Sequence, residues 1–190
     1  GTAAGTFLVT EIEPGPGGSS PSELTAFGTL LLLSATETTS GTEVWRSDGT
    51  ASGTFRIDIN PGSGGSFPTF FGEVGGAMLF RATDGSTGYE LWKTNGTTVL
   101  QVVDLRTGSL SGVEDDALRH GDYVYFRGND GSSGVELWRS DGTAGGTTLV
   151  ADINTGSGSS SPEAFLRVGN RLFYSADDGV HGRELWTTNS

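Results

Sequence analysis

The chain has 190 residues, 11 basic and 23 acidic side chains, a formal net charge of −12 and no cysteine. This length fits one domain with a buried core, whereas the acidic balance speaks against binding to nucleic acid or an anionic membrane, because phosphate contacts need clustered Lys and Arg. Without cysteine neither a disulfide framework nor a thiolate metal site can form, and no apolar stretch approaches the roughly 18 residues of a membrane span.

Four copies of one pattern follow each other along the chain, and each contains a tryptophan preceded two positions earlier by a glutamate. The pairs are Glu43 and Trp45, Glu90 and Trp92, Glu136 and Trp138, and Glu184 and Trp186. A fixed period of this size predicts a repeat architecture. We therefore expect a single repeat domain over residues 1–190, with units at approximately 1–48, 49–95, 96–141 and 142–190.

The sequence of each unit predicts four short strands, which we call in chain order the hairpin strand, the apolar strand, the tryptophan strand and the outer strand. Glycine opens the first hairpin turn in every copy, where its tolerance of positive φ is useful. The next strand is apolar on both faces, which predicts burial on both faces. The outer strands are predicted at residues 7–12, 55–59, 100–105 and 149–153, and each is followed by a crossing rich in Pro, Gly and Ser.

Four short strands joined by tight turns, with a longer crossing to the next unit, are typical of a β-propeller blade. The chain begins with an isolated outer strand, residues 7–12, and its last unit lacks one. The sequence thus predicts a four-bladed propeller closed by pairing of this N-terminal strand with residues 184–189. The alternatives are half of a two-chain eight-bladed ring, or an open repeat array.

The phrase around each tryptophan, followed by Gly-Thr-x-x-Gly-Thr at residues 49–54 and 142–147, resembles the bacterial ELWxxDGT repeat family, which is described as hyalin-like. The resemblance covers the whole chain. Val44 replaces the usual leucine in the first copy, and the second Gly-Thr is missing after Gly96 and Thr97. The resemblance implies a secreted or cell-surface protein and carries no catalytic motif with it.

The recurring side chains are interpreted as structural. Each tryptophan is expected to fill the space between neighbouring blades rather than to stack on a sugar. Each glutamate is expected to accept hydrogen bonds from turn amides or to pair with a basic residue, for which Arg81 and Arg127 are plausible partners of Glu90 and Glu136. Four equivalent carboxylates do not suit general acid–base catalysis, which needs one unusual group.

Other candidate sites are weaker. The acidic residues of the outer strands could discourage edge-to-edge association or help to bind a cation; they are Glu11, Asp58, Asp104 and Asp152. Calcium remains possible, although no Asp-x-Asp-x-Asp-Gly spacing occurs. His120 and His181 fall at unrelated positions. Only the acidic run at residues 114–116 stands out as a candidate for a glycosidase, and adjacent carboxylates on a turn are more often solvated.

The sequence therefore predicts a non-catalytic structural or interaction module outside the cell or on its surface, with a protein or glycan as possible partner and no membrane insertion. A lectin-like propeller is one alternative, and its only candidate aromatic residues are Phe67, Phe70 and Tyr89. The other alternative is a subunit of an extracellular fibre that self-associates through its N-terminal strand.

Overall fold

The computed structural model describes residues 1–189, so that the final residue of the predicted fourth unit lies outside the described part. One short 3-10 helix, Ala3–Gly5, is the sole helical element of these residues. None of the described residues belongs to a helix long and apolar enough to cross a membrane. The prediction of an all-β protein with negligible helix is confirmed.

The described residues form four antiparallel sheets, which we number in chain order. Sheet 1 contains β1 (Ser22–Phe27), β2 (Leu30–Glu37), β3 (Gly41–Ser47) and β4 (Phe55–Ile57). Sheet 2 contains β5 (Thr69–Val74), β6 (Ala77–Thr83), β7 (Tyr89–Thr94) and β8 (Val99–Val103). Sheet 3 contains β9 (Val113–His120), β10 (Tyr123–Asn129), β11 (Val135–Ser140) and β12 (Thr148–Ala151). Sheet 4 contains β13 (Glu163–Val168), β14 (Arg171–Asp177) and β15 (Arg183–Asn189).

The predicted hairpin turns are present in every sheet. The first turn residue is Gly28, Gly75, Gly121 or Gly169, and φ at these glycines lies between 58° and 62°. A residue with a Cβ resists this left-handed conformation. Glycine at this position therefore sets the short link between the first two strands of each sheet.

Consecutive sheets pack face to face, and their order in space follows their order in the chain. We call the face that contacts the preceding sheet the backward face and the other the forward face. The backward face carries the tryptophan, and the forward face carries the residue before it. For example, Leu91 on the forward face of sheet 2 belongs to the same buried cluster as Trp138 on the backward face of sheet 3. Both faces of each internal sheet are thus buried, as the apolar second strands predicted.

The first strand of each sheet lies nearest its counterparts: β1 contacts β5, β5 contacts β9, and β9 contacts β13. A crossing leads from the outer strand of one sheet to the first strand of the next. The crossing is held to the next sheet by a repeated backbone bond, in which the Thr83 amide donates to the Ser66 carbonyl at 3.0 Å and the Asp177 amide to the Ser160 carbonyl at 3.0 Å.

The N-terminal segment differs from its prediction. Residues 7–12 form no strand and do not pair with β15, so that sheet 4 has three strands and the ring is not closed in this structure. Instead Ile12 packs against Leu33, Ala35 and Trp45 on the backward face of sheet 1. The segment therefore covers sheet 1 at the place where an outer strand of a preceding sheet would lie.

Candidate functional site

The recurring glutamates lie at the junctions between sheets. Glu43, Glu90 and Glu136 have no solvent exposure, although ionisable side chains are seldom fully buried without partners. Each sits on the third strand of its sheet, next to the point where the outer strand ends and the crossing begins. At this position the carboxylate lies within hydrogen-bonding distance of backbone amides of the outer strand and the crossing.

Glu43 ties the end of the outer strand to the end of the crossing. The Ile59 and Asn60 amides donate to its carboxylate at 3.0 and 3.3 Å. The Ser66 amide and hydroxyl donate to it at 3.1 and 2.7 Å. One buried carboxylate thus accepts from four donors of this segment, and the Ser66 amide is shared with the Thr42 carbonyl of β3 at 2.8 Å.

Glu136 repeats this arrangement in sheet 3. It accepts from the Ile153 and Asn154 amides at 3.0 and 3.3 Å and from the Ser160 amide and hydroxyl at 2.8 and 2.5 Å. The four interactions match those of Glu43 in position and type. The geometry is therefore a property of the repeat.

Glu90 makes a reduced version of the same junction. The Leu105 amide donates to Oε2 at 2.8 Å and the Gly112 amide to Oε1 at 2.7 Å. Glycine replaces the serine here, and a Cβ built on Gly112 would meet Glu90 Oε2 at 2.6 Å. Burial raises the pKa of Glu90 to about 7, while the donated amide bonds oppose this shift.

The alternative pairing of these glutamates with arginines is wrong. Arg81 lies opposite Leu91 in the strand register, one position away from Glu90. It forms an ion pair at 2.5 Å with Asp115 of sheet 3 and stacks over the Tyr89 ring at 3.9 Å. Arg81 and Arg127 therefore form ion pairs with acidic residues of β9, and the glutamates accept hydrogen bonds from backbone amides.

The acidic run at residues 114–116 lies on β9 rather than on the expected turn, at a bulge where three residues face a single position of β10. Glu114 pairs with Arg127 at 2.6 Å, and Asp115 pairs with Arg81. Asp116 has φ of 81°, and burial raises its pKa. Two of the three carboxylates are thus engaged in ion pairs within or between sheets.

The tryptophans occupy the backward faces of their sheets. Trp45 and Trp138 are 6% and 8% exposed, and Trp92 and Trp186 are half-buried. Trp186 Nε1 donates to the Ala176 carbonyl at 3.0 Å. None of the four tryptophans is largely exposed to solvent.

The candidate sugar-binding aromatics are dispersed. Phe70 packs in the cluster between sheets 1 and 2, and the Tyr89 ring lies under the Arg81 guanidinium. Phe67 is half-exposed and lies alone on the crossing to sheet 2. The three rings do not form a common platform.

The fourth copy of the junction is incomplete. Glu184 is exposed, and no backbone amide of residues 1–189 donates to it. Leu185 is 75% exposed, whereas its counterparts Val44, Leu91 and Leu137 have no exposure. The sequence signal is therefore the same in all four copies, but residues 1–189 place no outer strand or crossing beside the last copy.

The Asp-Gly-Thr-x-x-Gly-Thr phrase forms a hydrogen-bonded loop between the third and fourth strands. Asp141 Oδ1 accepts from the Thr143 amide and hydroxyl at 2.9 and 2.7 Å, and Thr143 Oγ1 accepts from the Gly146 amide at 3.0 Å. A Cβ built on Gly146 would overlap the Asp141 carboxylate. The second glycine of the phrase is thus explained by close approach to the aspartate.

We expect Asp141→Ala to lower the free energy of unfolding by about 1–2 kcal/mol, because the loop loses two hydrogen bonds to a charged acceptor. Gly142→Val should cost about 2–3 kcal/mol, since φ at Gly142 is +86° and a β-branched residue resists it. Urea denaturation checks both values, with Asp122→Ala in an exposed hairpin turn as control. Unchanged midpoints in both variants would contradict a structural role for this loop.

The loops between the second and third strands also satisfy their aspartates locally. Asp84 Oδ1 accepts from the Ser86 and Thr87 amides at 2.8 and 2.9 Å. Burial disfavours its ionised form, but the hydrogen bonds from Thr87 and Ser86 outweigh this effect and lower the pKa to about 2. Asp130 has the same arrangement with Ser133 and Ser132, and its pKa is also lowered to about 2.

The histidines remain at unrelated positions. His181 Nδ1 lies 2.7 Å from Asp178 Oδ2, and this hydrogen bond raises the pKa of the histidine. His120 is buried near the Tyr125 ring. Among residues 1–189, no three side chains of the types His, Asp and Glu gather in a group that could hold a metal ion.

These pKa shifts predict a stability maximum near pH 4–5. Glu90 has a folded pKa above its usual value, so stability falls as pH rises from about 4.5 to 7, by an amount of the order of 3 kcal/mol. Asp84 and Asp130 have lowered values, so stability falls as pH drops from about 4 to 2.

Denaturation in urea at pH 5 and pH 8 measures the first of these effects. We expect the parent to be more stable at pH 5, and Glu90→Gln to reduce the difference, because the amide does not titrate; burial also raises the pKa values of Glu43 and Asp116, which supply the remaining pH dependence. Glu184→Gln, at an exposed position, is the control for the substitution. An equal pH dependence in the parent and in Glu90→Gln would contradict the assignment.

No model of a known protein family matches the chain, and no curated protein matches it.

Proposed function

We propose that the chain is a non-catalytic structural or interaction module of β-propeller blades that works outside the cell or on its surface. The observation that carries the proposal is that the recurring side chains make structural contacts between sheets. The buried glutamates accept hydrogen bonds from the crossings, and the tryptophans fill the spaces between sheets. The most regular features of the sequence therefore serve the connection of one sheet to the next.

The arrangement of the sheets supports the propeller. Sheets pack face to face in chain order, their first strands lie together, and each crossing runs from an outer strand to the next first strand. This is the connectivity of propeller blades. The resemblance to the ELWxxDGT repeat family, carried by the four tryptophan phrases, supports the extracellular setting and the absence of an enzymatic role.

The carboxylates give little support to an enzyme. A general acid or base must reach a substrate proton with a group of matched pKa. Glu90 has a raised pKa, but it is fully buried and its two oxygens face backbone amides. Glu114 and Asp115 are paired with arginines. For the lectin alternative, the candidate rings of Phe67, Phe70 and Tyr89 do not form a common exposed platform.

Self-association is the second candidate function, and the incomplete fourth junction favours it. Among residues 1–189 no strand pairs with the free edge of β15, and the forward face of sheet 4 has exposed apolar side chains at Leu166, Val168 and Leu185. Unpaired edges with apolar neighbours tend to bind another strand. A two-chain ring and an open fibre would both satisfy this edge.

A substrate panel combined with stability measurements tests the module proposal. The parent chain is assayed on chromogenic glycosides, esters and peptides, and Glu43→Gln, Glu90→Gln and Glu136→Gln are compared with it. We expect no turnover and a lower free energy of unfolding in all three variants. Turnover by the parent that one variant abolishes, without loss of stability, would overturn the proposal.

A further inference from the structure

Each internal junction has a forward half and a backward half, and the chain ends carry one half each. The forward half consists of the third-strand glutamate, the edge of that strand and the apolar forward face. The backward half consists of an outer-strand end, its crossing and the backward face of the following sheet. We call the forward half on sheet 4 the tail surface, defined by Leu166, Val168, Glu184 and Leu185. We call residues 7–19 with the backward face of sheet 1 the head surface.

The tail surface lacks its counterpart at several points. Glu184 and Leu185 are exposed where the equivalent residues of sheets 1 to 3 are fully buried. A Cβ on Gly41 would collide with the crossing at Gly64, at 2.7 Å, whereas a Cβ on the equivalent Gly182 would meet nothing within 4 Å. The space for a crossing is therefore present beside sheet 4 and is open.

The N-terminal segment of the head surface has the same contacts to sheet 1 that an internal crossing has to the sheet that follows it. The Thr36 amide donates to the Ser19 carbonyl at 2.8 Å, as the Thr83 amide does to the Ser66 carbonyl in the next unit. Ile12 occupies the position of Ile59 in the repeat and packs on the following sheet in the same way. The segment is thus bound to the backward face of sheet 1 in the way that an internal crossing is bound to the next sheet.

The other side of the segment is unsatisfied. The amides of Ile12 and Ser19 correspond to those of Ile59 and Ser66, which donate to Glu43. No residue within 1–189 accepts from Ile12 or Ser19 in this way. The head surface therefore presents the donors for which Glu184 would be the acceptor.

The apolar parts of the two surfaces are also complementary. A cavity of about 260 Å³ lies between the N-terminal segment and sheet 1, and apolar side chains dominate its lining, which includes Phe7, Leu8, Leu24, Leu31 and Leu33. In the internal junctions this region is filled by the forward face of the preceding sheet, as Val44 and Ile57 do against Phe80. Leu185 is the equivalent of Val44 on the tail surface.

We propose that the tail surface of one copy of this chain binds the head surface of a second copy, with Glu184 accepting hydrogen bonds from the amides of residues 12 and 19. The proposal rests on the structural-module function and specifies its partner. Residues 7–12 become the fourth strand of sheet 4 of the neighbouring copy. In sheets 1 to 3 the residue before tryptophan lies opposite the position equivalent to Thr10, so Leu185 of one copy lies opposite Thr10 of the next.

The second copy is favoured over the chain's own N-terminal segment because, among residues 1–189, that segment forms no strand and does not pair with β15. Each copy has one head and one tail, so the contact is heterologous and gives either a closed ring or a fibre. The paired surfaces restore the environment that three junctions of the chain already have. The contact between copies would repeat the contact that already joins consecutive sheets within the chain.

Single cysteines test this contact directly, since the parent chain has none. One chain carries Thr10→Cys, and a second, distinguished by an affinity tag, carries Leu185→Cys; directly opposite strand residues are close enough for a disulfide. Under mild oxidation we expect a crosslink between the tagged and untagged chains. A tagged chain with Asp122→Cys, on an exposed hairpin turn, is the control and should not crosslink to Thr10→Cys.

The double variant with both cysteines separates the alternatives. A crosslink within one chain at low concentration, together with none between the single variants, would overturn the proposal in favour of a propeller closed by its own strand. Absence of both crosslinks would overturn it as well. Either failure leaves the non-catalytic assignment intact, because that assignment is tested by substrate turnover.

A second measurement does not depend on disulfide geometry. Sedimentation at increasing concentration gives the dissociation constant of self-association for the parent, Glu184→Gln and the control Glu73→Gln, which removes the same charge from an exposed position on β5. We expect Glu184→Gln to raise the dissociation constant at least about tenfold, because it weakens hydrogen bonds to a charged acceptor. Equal values in the two variants would overturn the role of Glu184.

Discussion

We expect Glu136→Ala to lower the free energy of unfolding by about 3–5 kcal/mol, because the variant leaves several buried donors without an acceptor. The donors are the Ile153 and Asn154 amides and the amide and hydroxyl of Ser160. Loss of the fully buried side chain also leaves a cavity. Equilibrium unfolding in urea measures the change.

Glu184→Ala is the matched control, since this glutamate has the same place in the repeat but is exposed. At a concentration where the chain is monomeric it should change the free energy of unfolding by no more than about 0.5 kcal/mol. A loss for Glu136→Ala as small as that of the control would contradict the junction role of the buried glutamates.

Trp138→Ala is expected to lower the free energy of unfolding by about 3–5 kcal/mol. The ring packs between sheets 2 and 3 in a cluster with Leu91, Val113 and Phe126. Its indole N–H has no acceptor among residues 1–189, so the loss arises from apolar burial and packing. Thermal or urea unfolding gives the value.

Trp186→Ala provides the comparison within the same chain. This ring is half-buried and belongs to the incomplete fourth sheet, so we expect a smaller loss than at position 138. A Trp138→Ala midpoint equal to that of the parent would overturn the packing role and would reopen a role in ligand binding.

The repeat made much of the fold predictable from the sequence. The spacing of the tryptophan phrases predicted four units, and the glycine turns and apolar runs placed the first three strands of each sheet. The outer strands were predicted too long at their ends. The strand predicted at residues 55–59 is Phe55–Ile57, because Ile59 leaves the strand and donates its amide to Glu43.

The arginine alternative shows how a small error in register changes a proposed contact. Arg81 faces Leu91, and Ala82 faces Glu90. A shift of one residue moves a side chain to the opposite face of a strand. Pattern alone left both the amides and the arginines open as partners for the glutamates, and the strand pairing decides between them.

The state of the chain ends was not predictable from the repeat pattern. Residues 7–12 have the sequence character of an outer strand, and Glu184 has that of a junction glutamate. The pattern predicts that residues 7–12 pair with the strand containing Glu184. It does not predict whether that strand belongs to the same chain or to a second copy. Within residues 1–189 the N-terminal segment packs on sheet 1 through Ile12 and Ser19 and does not pair with β15.

Amide hydrogen exchange, resolved by residue, tests the junctions most directly. In dilute solution we predict strong protection at Ile59 and Ile153, whose amides donate to buried glutamates, and rapid exchange at Ile12. At high concentration, protection should appear at Ile12 as a second copy supplies Glu184. Exchange at Ile59 and Ile153 as fast as at Ile12 in dilute solution would contradict the glutamate junctions, and an Ile12 rate independent of concentration would contradict the contact between copies.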